Sequence, residues 1–140
     1  MQIAVKNIEK MEHLLINSTA QTPFISFNSQ SGVMEITGRS IPEQADEFWI
    51  PILNWFETYV QMPANQTVFK INLEYFNISS SKRILFLLYK LNNLAENPDC
   101  VKVEWFYREE DEDMFEVGND YAYMVKVPFE FIVFKEAELA

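Results

Sequence analysis

The sequence predicts an α/β fold in which a single mixed β-sheet is packed with helices. Apolar residues alternate with polar ones in the segments before residue 40, which indicates strands joined by tight turns. Strand-like and helix-like segments then alternate over residues 66–134, which favours right-handed crossovers between parallel neighbours. The 140 residues are 49% hydrophobic with only three glycines, which suits one domain with a substantial core.

The first strands are short and are separated by turn residues. Residues 14–16 form a short strand candidate, and residues 24–28 alternate polar and apolar side chains. A turn at residues 30–32 leads into a second alternating segment at residues 33–38. We expect the last two segments to form an antiparallel hairpin at the edge of the sheet.

A helix is predicted between residues 43 and 61. Apolar side chains recur there at nearly helical spacing from Phe48 to Val60, with Trp49 and Trp55 among them. Pro51 interrupts this pattern, so either the helix bends or it begins near Asp46 with Pro51 in its opening turn. Most of these aromatic side chains are expected in the core, and the others in an exposed contact patch.

The second half of the chain contains three more strands and two more helices. Leu87, Leu88 and Leu91 belong to one apolar stripe of the first of these helices. The predicted elements are a strand at 67–76, a helix at 79–95, a strand at 101–107, a short helix at 114–123 and a strand at 127–134.

The domain is expected to span residues 12–135, with an N-terminal extension at 1–11 and a polar tail at 136–140. The N-terminus lacks the pattern of a signal peptide, and no apolar run approaches the roughly 20 residues that span a bilayer. A cytoplasmic protein without membrane insertion is therefore expected. Cys100 is the only cysteine, so no intrachain disulfide forms, and its flanks predict a small buried side chain.

The charge excess is acidic and lies near the C-terminus. Residues 96–140 hold 13 acidic and 4 basic side chains, out of 21 and 11 in the whole chain. This balance repels nucleic acids and anionic membranes and favours a partner protein with a basic patch. The acidic residues at 109–113, with Glu116, read as a solvated helix start or as a docking surface. Their spacing does not fit a calcium loop, so no metal is expected.

A polar turn between a strand and a helix contains the main candidate site, formed by Asn77, Ser79, Ser80, Ser81 and Lys82. A helix N-terminus has free N–H groups and the positive end of the helix dipole. These residues either cap the helix or place a hydroxyl or an anion there. No glycine-rich loop precedes them, so the site is not a nucleotide-binding loop. No catalytic set of side chains and no cofactor site is evident.

Several segments together resemble one bacterial family, the SiaC-type regulatory phosphoproteins. The resemblance covers about residues 12–132 in register, nearly a whole domain. The segments that carry it are Thr22-Pro23, Gly32 to Glu43, Phe48-Trp49-x-Pro51-Ile52-x-x-Trp55, Tyr75-Phe76-Asn77-x-Ser79-Ser80-Ser81-Lys82, Trp105-x-Tyr107, Glu112-Asp113-Met114 with Gly118, and Pro128-Phe129.

The resemblance implies a STAS-like fold, similar to anti-sigma-factor antagonists, and partner switching rather than catalysis. In such proteins a kinase phosphorylates a hydroxyl in the turn, and a PP2C-type phosphatase removes the phosphate. The unphosphorylated form binds and activates a diguanylate cyclase, which raises cyclic-di-GMP and favours aggregation or biofilm.

This chain departs from the family pattern at the phosphorylated position. The family's acceptor threonine falls on Ile78, which has no hydroxyl. Either Ser79 takes over, with Ser80 and Ser81 as alternatives, or the protein stays in the unphosphorylated binding state.

The sequence thus predicts a non-enzymatic regulator that binds proteins through the turn at 77–82 and the helix after it. Two other readings remain open. An enzyme using the serine cluster would lack a paired base, and a small-molecule module would need an aromatic-lined cavity near Trp49 or Trp55. A homodimer is also left open.

Overall fold

The computed structural model describes residues 11–135, which form six strands and three α-helices. Apart from Met11, the predicted extension at 1–11 lies outside these residues, as does the tail at 136–140. The elements are β1 (Leu14–Ile16), β2 (Phe24–Phe27), β3 (Val33–Ser40), α1 (Ala45–Tyr59), β4 (Thr67–Phe76), α2 (Ile78–Leu91), β5 (Val101–Arg108), α3 (Glu112–Met124) and β6 (Phe129–Phe134).

The strands form one mixed sheet in the order β1-β2-β3-β4-β5-β6. β1, β2 and β3 are antiparallel neighbours, whereas β3 to β6 are parallel to one another. The expected α/β fold, a single mixed sheet packed with helices, is confirmed. The predicted hairpin is β2 and β3, and its turn ends at Gly32, whose positive φ of 77° suits glycine.

All three helices pack on the same face of the sheet. The parallel strands advance in one direction, and right-handed crossovers then place every connecting helix on one side. The burial pattern agrees, because Phe69, Ile71 and Leu73 of β4 belong to one core cluster with residues of α1, α2 and α3. The opposite face carries charges in register, with Lys70 of β4 between Glu35 of β3 and Glu104 of β5.

α3 approaches β5 closely because residue 118 has no side chain. A Cβ atom on Gly118 would lie 2.5 Å from Nε1 of Trp105. The same Nε1 donates a hydrogen bond of 3.0 Å to the carbonyl oxygen of Met114. Gly118 and Trp105 therefore set the position of α3, and with it that of Tyr121, which reaches the candidate site.

Two expectations need correction. Cys100 is only half-buried, because it ends a short 3-10 turn before β5 rather than beginning the strand. The helix predicted at 79–95 ends at Leu91 and is followed by a separate 3-10 turn over Asn92–Leu94. Of the two interpretations of Pro51, a helix that starts near Asp46 is closer, since α1 begins at Ala45. Pro51 lies in the second turn of α1, however, and not in the opening turn.

Candidate functional site

The site lies where β4 ends and α2 begins, with Asn77 as the one residue between them. Oδ1 of Asn77 accepts a hydrogen bond of 2.9 Å from the backbone N–H of Ser80, which is helix capping. Its own N–H donates to the carbonyl oxygen of Ser40 at 3.0 Å, so the turn is also fixed to the end of β3. Asn77 is therefore the cap, and the three serines do not serve that purpose.

Ser80 is a buried structural residue. Its side chain has no exposed surface, and its Oγ lies 2.6 Å from Oγ of Ser40, which is also buried. The Ser80 hydroxyl also contacts the carbonyl oxygen of Ser40 at 3.0 Å. This pair holds α2 against the end of β3. The buried position does not suit the predicted role of Ser80 at a partner surface or as an alternative phosphate acceptor.

Ser81 faces α3. Its hydroxyl forms a short hydrogen bond with the hydroxyl of Tyr121, which also donates to the carbonyl oxygen of Ser81 at 3.1 Å. Burial raises the pKa of Tyr121, and the hydrogen bond from Ser81 opposes this in part. The hydroxyl of Ser81 thus joins α2 to α3. Ser79 is the remaining serine of the three, and its hydroxyl is not bonded to β3 or α3.

Ser79 is half-buried and has a cationic neighbour. Its Oγ accepts a hydrogen bond of 2.9 Å from the guanidinium of Arg83. The same guanidinium forms an ion pair with Asp46 in the first turn of α1. Because Ser79 accepts in this hydrogen bond, its own hydroxyl hydrogen is free to be donated outward.

An apolar surface extends from the turn along α2. Ile78, the first residue of the helix, is 77% exposed, and Phe86 and Tyr89 are 45% and 47% exposed. With Lys82 they stand at spacings of four, four and three residues and share one side of the helix. We call Ile78, Lys82, Phe86 and Tyr89 the α2 surface. Ile78, on which the resemblance places the family's acceptor threonine, is therefore at the surface and has no hydroxyl.

The acidic stretch forms the start of α3. Oδ1 of Asp111 accepts a hydrogen bond of 3.0 Å from the N–H of Met114, and Glu112 and Asp113 occupy the first turn. Acidic side chains there are stabilised by the helix dipole, so the stretch has a structural role. Within residues 11–135, no group of three or more His, Cys, Asp or Glu side chains is placed to hold a metal ion.

A cavity of about 170 Å³ opens at the carboxyl edge of the sheet. The pairing of β4 with β5 ends at Ile71 and Trp105, beyond which the two strands separate, and Asn72, Arg108 and Asp111 line the space between them. Trp49 and Trp55 do not line this cavity. Trp49 is fully buried, and Trp55 stacks on Tyr59 with 5.6 Å between ring centroids.

Sequence reasoning missed Arg83, Asp46, Ser40 and Tyr121. Arg83 could have been found, because residues four apart on a helix are neighbours and Arg83 follows Ser79 at that spacing. Ser40 and Tyr121 each lie 40 residues from their partner serine, so only the folded chain brings them together.

Comparison with known proteins first gives the class, that of regulatory phosphoproteins. The model of the SiaC family of regulatory phosphoproteins matches residues 16–134, and the chain therefore belongs to this family. An uncharacterized protein of Pseudomonas aeruginosa strain UCBPP-PA14 is 26% identical over 119 residues, which cover 85% of this chain and 94% of that protein.

Solved structures show the same fold. The chain is similar to one in the crystal structure of the diguanylate cyclase SiaD in complex with its activator SiaC from Pseudomonas aeruginosa. The TM-score is 0.80 at 25% identity, over 86% of this chain and 99% of the other. The structure of SiaC of Pseudomonas aeruginosa gives a TM-score of 0.79 at 24% identity, over 89% and 100% of the two chains.

Among residues 11–135, none of the helices has the length and apolar character needed to cross a membrane.

Proposed function

We propose that this chain is a non-enzymatic cytoplasmic regulator that binds and activates a diguanylate cyclase, under the control of a kinase and a PP2C-type phosphatase. The observation that carries the proposal is the likeness, over nearly the whole of both chains, to a structure whose cyclase SiaD is bound by its activator SiaC. Binding would raise cyclic-di-GMP and favour aggregation or biofilm.

The α2 surface is the proposed contact with the cyclase. Exposed apolar side chains that cluster on one helix mark protein-binding sites, because their burial against a partner removes them from water. Ile78 and Phe86 supply apolar area, and Lys82 supplies a charge beside them. Asn77 and Ser79 complete the contact at the start of the helix. A negative charge introduced here would have to be desolvated on docking, which opposes binding.

Ser79 is the proposed phosphate acceptor. The kinase would form a bond between Oγ of Ser79 and the γ-phosphorus of ATP. The bond to the β-phosphate breaks, ADP leaves, and the hydroxyl proton passes to the kinase's base. The half-buried Ser79 suits this reaction better than Ser80, which is fully buried. It also suits the reaction better than Ser81, whose hydroxyl is hydrogen-bonded to Tyr121. If Ser79 is not modified, the chain is a permanent activator.

The proposal is tested with purified diguanylate cyclases, SiaD among them, by measuring cyclic-di-GMP formed from GTP with and without the chain. We expect a severalfold rise with wild type for a cognate cyclase and none with Phe86→Asp. Tyr123→Asp is the matched control, because Tyr123 is 93% exposed on a different helix. If no cyclase responds to the wild-type chain, the proposed function is wrong.

A small-molecule module is the second candidate, and the observation that favours it is the cavity between β4 and β5. Its 170 Å³ is below the 300 Å³ or more of usual ligand pockets, and its lining includes the acidic Glu74 and Asp111. Because the basic Arg108 also lines the cavity, any ligand would be small and polar.

A further inference from the structure

We propose that Arg83 holds the phosphoryl group on Ser79 and leaves Asp46 in order to do so. The inference rests on the proposed phosphorylation of Ser79 and adds a positioning residue to it. Phosphorylation then exchanges one ion pair for another, and the exchanged pair is the one that joins the first turns of α1 and α2.

The contact that would hold the phosphate is already present in the unmodified protein. One Nη of Arg83 donates to Oγ of Ser79 at 2.9 Å and lies 3.4 Å from the carbonyl oxygen of the same residue. The other Nη pairs with Asp46. The planar set of donors of a guanidinium matches a phosphate in a bidentate arrangement. A strong cation thus touches the very oxygen that would carry phosphorus.

Competition for Arg83 favours the phosphate over Asp46. The side chain of Asp46 is 74% exposed and that of Arg83 is 26% exposed, so Asp46 loses little when it returns to water. The phosphoryl group has a charge of about −1.5 to −2 and three acceptor oxygens, against one charge for the carboxylate. Its oxygens are bonded to the phosphorus on Oγ itself, so a rotation of side chains is enough to bring them within hydrogen-bonding distance of Arg83.

The exchange has a structural consequence that is confined to one end of the helix pair. Two ion pairs join α1 to α2, one between Asp46 and Arg83 and one between Glu57 and Lys90 at 2.9 Å. Phosphorylation would remove the first link and keep the second. The start of α1 would thereby be released from the start of α2, next to the proposed docking surface.

The test uses protein with phosphoserine installed at position 79 during translation, so that no kinase is required. The second pKa of the phosphoserine, ordinarily about 6, is measured by ³¹P NMR titration. In wild type we expect it to be lower than in Arg83→Gln by roughly 0.5–1 unit, since a neighbouring arginine favours the dianion. Lys90→Gln is the matched control, because Lys90 is on the same helix and also pairs with α1, but lies about three turns from Arg83's partner serine.

The outcomes separate this inference from the proposed function. If Arg83→Gln changes the phosphoserine pKa no more than Lys90→Gln does, Arg83 does not hold the phosphate and the inference is overturned, whatever the cyclase assay shows. If the Arg83 effect is seen but no cyclase is activated by the unmodified chain, the inference stands and the function fails.

The departure from Asp46 is checked by the side-chain Nε–Hε signal of Arg83. We expect phosphorylated wild type and phosphorylated Asp46→Asn to give the same signal, because Arg83 no longer touches residue 46. The two unphosphorylated proteins should differ from each other. A difference that persists after phosphorylation would show that Asp46 keeps Arg83 and would overturn the exchange.

Discussion

Replacing Ser80 by alanine should destabilise the protein far more than the same change at either neighbouring serine. The Ser80→Ala change removes the partner of the buried Oγ of Ser40, which lies 2.6 Å away. It also removes one of the two donors to the carbonyl oxygen of Ser40, which keeps its hydrogen bond from the N–H of Asn77. A buried polar atom left without a partner costs about 1–3 kcal/mol and a lost hydrogen bond about 0.5–1.5 kcal/mol, so we expect a total loss of about 2–3 kcal/mol. In Ser79→Ala the freed guanidinium of Arg83 is partly in water, and the loss should stay below about 1 kcal/mol.

Thermal unfolding followed by circular dichroism measures the difference. At roughly 3–5 °C per kcal/mol for a domain of this size, Ser80→Ala should lower Tm by about 6–15 °C. Ser81→Ala should fall between the other two variants, since Tyr121 still donates to the backbone of residue 81. The double variant Ser40→Ala/Ser80→Ala should lose less than the sum of the single losses, because both hydroxyls are removed together. Equal Tm values for Ser79→Ala and Ser80→Ala would refute the division of the serines into buried and accessible ones.

Three further predictions follow from the geometry around the site. Ile78→Thr restores the family's hydroxyl at an exposed position, so the free energy of unfolding should change by less than about 0.5 kcal/mol, and a family kinase should then yield a phosphopeptide modified at residue 78. Gly118→Ala forces a Cβ against Trp105 and should cost at least about 1–3 kcal/mol in denaturant unfolding, whereas the exposed Glu116→Ala on the same helix should be nearly neutral. Because the pKa of Tyr121 is raised in the folded protein, the unfolded chain loses the phenol proton first, and the free energy of unfolding should fall as pH rises above the ordinary tyrosine value of 10.0. Tyr121→Phe should show a shallower fall with pH. An equal slope in the two proteins would contradict the burial of this hydroxyl.

The fold was largely predictable because its signals are local. Three signals depend only on residues close in sequence. They are the alternation of polar and apolar residues at 33–38, the leucine stripe of α2, and the alternation of strands and helices along the chain. The boundaries were less accurate, as at α2, where a 3-10 turn replaces the last helical residues. The asparagines and the proline after Leu91 permit more than one way of ending the helix.

The site was predictable in position but not in its internal arrangement. The turn at residues 77–82 follows from the change between a strand and a helix. Which serine is buried does not, because that depends on Ser40 from the end of β3 and on Tyr121 from α3. The roles of the three adjacent serines are set by which neighbouring element each one faces, and a single sequence contains no local signal for this.

The most direct test of the account compares the binding of a cognate diguanylate cyclase to the unmodified chain and to the chain with phosphoserine at position 79. Isothermal titration calorimetry gives both dissociation constants under the same conditions. We predict that phosphoserine weakens binding by about 30-fold or more, corresponding to roughly 2 kcal/mol for the negative charge that Arg83 leaves uncompensated in the interface. Equal affinities for the two forms would contradict control of this regulator through Ser79.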